Sequence, residues 1–312
     1  FAEGLSDTTV AMYVSIFANC LNIFLNWVFI FGELGMPRME LMGAGWATFF
    51  SRVVMALLMM AYVYYGKNFK IYRAGFVFRG FSWEKIRKLV AVGLPIGFQF
   101  VLEVGVFVFG LIMIGWIGAA PLAAHQVAIS LAAVTYMMAS GISSATTVRV
   151  GFYLGAGKPR HLFSASLSSY MLVTAFMSLC VICFILFRYE LPLFFTYEAE
   201  VQQLAASLLL FAAFFQLSDG LQVTGLGILR GMQDVKMPTV IALVAYWLVG
   251  LPVGYLLAFV AGWGAEGVWC GFLVGLTSAA ILIFLRVLNR YKLFCMEAKG
   301  IRSKQIRIPA PS

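Results

Sequence analysis

The sequence predicts an all-α integral membrane protein with eight transmembrane helices, and three observations carry that prediction. Of 312 residues, 62% are apolar and 11% charged, against roughly 45–50% and 25% in soluble domains. The mean hydropathy is +0.93. Apolar runs of bilayer length, about 20 residues each, recur between clusters of charge, Gly and Pro. They lie near 10–31, 44–65, 89–116, 122–147, 165–187, 201–229, 238–261 and 267–288.

Orientation follows from the basic residues. Nineteen of the 22 Lys and Arg fall in loops 66–88, 148–164 and 230–237 and in the C-terminal tail, which the positive-inside rule makes cytoplasmic. Arg38 and Arg188 fall on the other side, with Glu33, Glu40, Glu190, Glu198, Glu200 and Glu266. The net charge of +9 is thus a topology signal for a multi-pass protein with lipid as its surroundings and no nucleic-acid partner, and the membrane expected is the plasma (inner) membrane. Phe1 stands directly before a polar turn with no leader pattern, so the start reads as a cut in a longer chain. From Phe294 onward the basic, Pro-ended sequence reads as a disordered tail. Cys180-x-x-Cys183 sits in an apolar run, where thiols pack as small hydrophobes.

An internal repeat organises the spans. Gly4-Leu5-Ser6-Asp7 opens the first as Gly231-Met232-Gln233-Asp234 opens the seventh, and the second and eighth both follow loops ending in Gly-Ala, at Gly43-Ala44 and Gly264-Ala265. A lone Gly-x-x-Asp is no more than a helix cap. Two matches in register instead indicate a six-span unit repeated in parallel, an arrangement of secondary transporters. Residues 1–66 then close a first lobe that lacks four helices, 67–88 link the lobes, 89–290 form a second lobe, and 291–312 are a basic cytoplasmic tail.

Charge inside the spans marks the candidate site. Glu103 lies ~22 Å and Asp219 ~16 Å from the cytoplasmic edge by helical rise, in the middle third of a ~30 Å core. A carboxylate there costs about 2.5–3.5 kcal/mol on the mildest scale, so it faces a cavity or a partner. Gln99, Glu103 and Phe107 share one helical face, as do Gln216, Asp219 and Gln222. Asn19, Asn22 and Asn26 form a further stripe, and Gln126 and Tyr136 are candidates to face inward. The two acids can hold a monovalent cation between hard oxygens or share a proton. The plainer alternative is two neutral, hydrogen-bonded packing residues. Arg52 either snorkels outward or pairs with an acid. His125 has no second His near it to build a metal site. Pro95, Pro238 and Pro252, with Gly93, Gly97, Gly105 and Gly110, mark helices able to kink or approach closely.

These residues together resemble the multidrug and toxic compound extrusion (MATE) family, in its NorM-type branch. The resemblance rests on Gly4-Leu5-Ser6-Asp7-Thr8, Asn22-Ile23-Phe24-Leu25-Asn26-Trp27, Gly93-Leu94-Pro95, Glu103, Ala124-His125-Gln126-Val127-Ala128, Arg149-Val150-Gly151, Asp219, Leu229-Arg230-Gly231 and Gly250-Leu251-Pro252. It implies eight helices of a twelve-helix, two-lobe transporter, the first four being absent. It also implies that Glu103 and Asp219 bind the coupling Na+ or H+, with Phe107 and Tyr136 nearby. Gln126 and Glu198 match substrate-contact positions, and Asn22 and Asn26 a polar pair of the first lobe. Gln99 and Gln216, on the stripes of the two acids, join the expected substrate cleft. Phe215 departs from the tyrosine common there and removes one hydroxyl ligand.

The function expected is ion-driven export of amphipathic or cationic organic compounds by a monomer without cofactor. A lipid-precursor flippase would need a more basic cleft than Arg52 alone offers. An intramembrane enzyme using the two acids would need a nucleophile or metal cluster that the sequence does not offer, and a passive channel would not drive uphill movement.

Overall fold

The computed structural model describes residues 9–66, 69 and 82–298. Among them are eight helices long and apolar enough to cross a membrane. These are α1 (Thr9–Phe31), α2 (Glu40–Tyr65), α3 (Trp83–Ile117), α4 (Ala119–Gly155), α5 (Pro159–Leu186), α6 (Ala199–Gly231), α7 (Lys236–Val260) and α8 (Ala265–Ala298). Large apolar side chains such as Val101, Met171 and Leu248 are exposed on their outer faces, as lipid contact requires in a multi-pass membrane protein.

Several helices outrun the apolar runs that announce them. α4 continues past Arg149 to Gly155, so the loop expected at 148–164 shrinks to residues 156–158. The disordered tail expected from Phe294 is also corrected, because α8 stays helical through Ala298. Tyr291 and Phe294 pack on an apolar cluster around Leu162, Leu229 and Ile283, and Arg286 and Arg290 ion-pair with Asp234. Burial and charge pairing therefore carry the helix beyond its apolar stretch. Residues 299–312 lie outside the described residues, as does the Gly4-Asp7 turn.

The chain divides into two units at Trp83/Glu84. In the first, α1 packs on α2, and the crossing is tight at Gly43. A Cβ there would lie 2.6 Å from the Phe29 carbonyl oxygen, so only Gly fits. The Asn22 amide donates to the Ser51 hydroxyl at 3.2 Å and the Asn26 amide to Asn22 Oδ1 at 3.0 Å. Arg52 is exposed and lies along its own helix, 3.9 Å from Met55 Sδ.

In the second unit α6 is the central helix, packed against α4, α5 and α8. Glu200 in its first turn and Arg230 in its last complement the macrodipole. Its end is set by a turn in which Gln233 takes φ +59° and Asp234 N–H donates to the Leu229 carbonyl at 2.9 Å. Small residues seat α6 on α4: Ser143 Oγ donates to the Val223 carbonyl at 2.6 Å and Thr147 Oγ1 to the Gly227 carbonyl at 2.9 Å. α7 and α8 approach still more closely. Gly250 and Gly254 of α7 lie backbone to backbone against Gly271 and Gly275 of α8. Along this seam α7 widens into π-helical turns at Leu243–Gly250 and Leu256–Val260.

α3 meets its neighbours differently, through side chains. The Phe107 ring lies 5.1 Å from Phe272 and Phe109 5.2 Å from Trp247. Trp247 Nε1 donates to the Leu102 carbonyl at 3.1 Å, and Thr239 Oγ1 to the Pro95 carbonyl at 2.9 Å. Pro95 lies within this continuous helix.

Candidate functional site

The geometry of the candidate site begins with two helices that carry acids into an apolar interior. Glu103 on α3 is 7% exposed and Asp219 on α6 is 6% exposed. Both line one cavity of about 350 Å³ within the second unit. Glu103 Oε1 accepts a hydrogen bond from Gln222 Nε2 at 3.1 Å, a direct bridge from α6 to α3. Asp219 feels the charge of Glu103, yet no hydrogen bond or ion pair engages it among the described residues. The hydroxyl of Tyr246, buried on α7, lies beside Glu103 but outside hydrogen-bond geometry.

The rest of the wall is mostly aromatic. Phe107 and Phe215 face each other edge to face at 6.0 Å, and both line the cavity. Phe215 thus fills the position where a hydroxyl was the family expectation. α4 contributes Tyr136, Gln126 and His125. His125 is buried and its Nδ1 accepts from Trp269 Nε1 at 3.2 Å, which places its ring in the packing around Trp269 and Phe272.

Of the residues singled out by sequence, Glu103, Asp219, Phe107, Tyr136 and Gln126 come together here. Gln99 and Gln216 are buried but do not line the cavity, and both Gln216 side-chain polar atoms and Gln99 Nε2 have no hydrogen-bond partner among the described residues. Glu198 is exposed at the start of α6. It lies 21 residues, or ~31 Å along the axis, from Asp219. Asn22 and Asn26 belong to the first unit.

One contributor escaped the sequence reading. Arg230 counts there as a loop residue, but its guanidinium lies 4.9 Å over the ring of Phe100, a cavity-lining side chain, and interacts electrostatically with Glu103. Its spacing of eight residues from Gln222, two turns on one face, was the available signal.

A cavity holding two buried acids and little other polarity can accept a small cation or a proton at one end and apolar or aromatic cargo along its walls. The chain as a whole is similar to known proteins. The MatE family profile matches residues 95–256, a stretch containing both acids. The chain is 38% identical over 295 residues to a probable multidrug resistance protein NorM of Mesorhizobium japonicum, covering 93% of this chain and 63% of that one. It is 36% identical over 309 residues to the multidrug resistance protein PmpM of Pseudomonas aeruginosa, covering 97% and 64%. The chain therefore spans a little under two thirds of these relatives. Its fold matches the eukaryotic MATE transporter AtDTX14 at TM-score 0.81 and 23% identity, over 93% of this chain and 64% of that one. A MATE protein in the straight conformation matches at TM-score 0.83 and 22% identity, over 93% and 64%. With its eight apolar helices and a profile match through both buried acids, the chain belongs to the MatE family.

Proposed function

We propose that this chain forms spans five to twelve of a NorM-type antiporter that exports amphipathic or cationic organic compounds in exchange for inward Na+ or H+. Residues 1–66 would be the last two helices of the N-terminal lobe, 67–88 the inter-lobe linker, 89–290 the C-terminal lobe and 291–312 the tail, with the basic loops cytoplasmic. The observation that carries the reading is the pair Glu103 and Asp219, buried in mid-helix and lining one largely aromatic and apolar cavity. Intramembrane acids placed this way mark ion pathways and proton relays. Its charge balance, two acids against Arg230 at one end, suits cationic cargo better than an anionic lipid precursor. Further support comes from the multidrug resistance proteins among the relatives. Tyr136 and Phe107 would border the ion, and Gln126 the cargo. Gln99 and Gln216 would back the site from within the packing, with Asn22 and Asn26 as the polar pair of the other lobe and Glu198 at the outer rim.

Reconstituted full-length protein in liposomes tests this. Efflux of a cationic dye should follow an imposed Na+ or H+ gradient and fall to background in the Glu103→Gln, Asp219→Asn double variant. Gradient-driven efflux that survives in the double variant would refute the assignment.

A further inference from the structure

We propose that Arg230 is a tethered counter-cation for Glu103, a positioning residue that competes with the coupling ion and sets how tightly the site holds it. The inference rests on the antiport reading above. Arg230 stands eight residues beyond Gln222, the residue that hydrogen-bonds Glu103, and so about 12 Å farther along the same face of α6. Helical side chains lean toward the N-terminus. The Arg230 side chain accordingly reaches back from the helix end toward the cavity.

Its environment distinguishes this from ordinary helix-end chemistry. An arginine at a C-terminus normally sends its head group into water or onto the last carbonyls. Here the guanidinium carbon lies 4.9 Å over the ring of Phe100, one turn before Glu103 and part of the cavity wall. Its Nε is buried and has no hydrogen-bond partner among the described residues. No carboxylate among the described residues comes within ion-pair distance of it, whereas Arg286 and Arg290 nearby in the fold are both paired. A desolvated guanidinium stacked on an aromatic ring keeps its full charge, and in a low-dielectric cavity that charge acts over longer range than in water.

The ionisable groups facing Glu103 are Arg230 and Asp219 from α6, Tyr136 from α4 and Tyr246 from α7. Arg230 is the cation of this set. With the site empty it offsets the carboxylate charge. When Na+ or H+ neutralises Glu103, the fixed positive charge opposes the newcomer and favours its release. Removing that charge should therefore tighten ion binding while slowing turnover, a split that loss of packing does not produce.

The test is dye efflux by the full-length protein as a function of coupling-ion concentration. In Arg230→Gln the half-saturating ion concentration should fall about tenfold and the maximal rate should drop. In Arg230→Lys, which keeps the charge, half-saturation should stay within about twofold of wild type. An unchanged half-saturation in Arg230→Gln, or an Arg230→Lys protein that behaves like Arg230→Gln, would overturn the inference. If Arg230→Gln does not fold, Phe100→Leu, which frees the guanidinium, should lower half-saturation in the same direction, and no shift would equally overturn it. Wild-type protein without any ion-driven efflux would instead sink the antiport reading itself.

Discussion

Asp219 and Asp234 are fifteen residues apart, equally buried at 6% and 7% exposed, and opposite in their surroundings. Asp234 sits at the turn after α6 with Arg286 at 2.7 Å and Arg290 at 3.1 Å, both from α8. Asp219 sits in mid-helix with no hydrogen bond or ion pair among the described residues and a cavity beside it. Burial of an acid therefore does not identify its role; its partners do. A carboxylate enclosed by two guanidinium groups joins elements, and one held open against a cavity is available to something that comes and goes.

Substitution can break or sharpen this contrast. The largest effect should be functional: Asp219→Asn is expected to reduce ion-driven efflux by at least about a hundredfold. Its unfolding temperature in detergent should stay level or rise, because a buried acid without a partner is replaced by a neutral amide of the same shape. A strong fall in stability would place Asp219 in the same class as Asp234. Next comes Asp234→Asn, which strands two arginines. Breaking a buried pair costs about 3–5 kcal/mol, but both arginines are about one-third exposed, so solvent screening reduces the loss to about 2 kcal/mol. Thermal unfolding should show it, with efflux per folded molecule retained. Comparable in size, but purely structural, is the effect expected of Gly227→Ala, which leaves both acids untouched. Its Cβ would lie 2.5 Å from the Ser143 carbonyl oxygen, a backbone clash expected to cost about 1–3 kcal/mol and measurable in the same unfolding assay.

Some of this contrast was legible in the sequence. Two acids in apolar runs stand out because hydrocarbon tolerates them so poorly, and helical spacing put Glu103 with Phe107 and Asp219 with Gln222. Periodicity gives a face, but not how the helix is rotated in the bundle. Gln99 and Gln216 share those stripes and still end inside the packing; for Gln216 the small-residue contacts of α6 with α4 fix the rotation. Asp234 was read as half of a repeated cap, since its partners lie some fifty residues later on α8. Arg230 was absorbed into a count of cytoplasmic charge, because a sequence shows position along the chain and not the direction a long side chain takes. Helix ends were placed short wherever charge began, although charge-paired turns of α8 remain helical. The glycines at 250, 254, 271 and 275 were present at four-residue spacing, a recognisable signature of close crossing.

That seam between α7 and α8 has a mechanical consequence. Backbone presses on backbone, so the contact contains no rotamers to exchange and the two helices have a single way to fit. The contacts of α3 described above are aromatic rings and side-chain hydrogen bonds, which hold rotatable torsions where the seam has none. Any bending of this unit should therefore fall on α3, the helix that carries Glu103, rather than on the α7–α8 pair, and amide hydrogen exchange should be faster in α3 than along that seam.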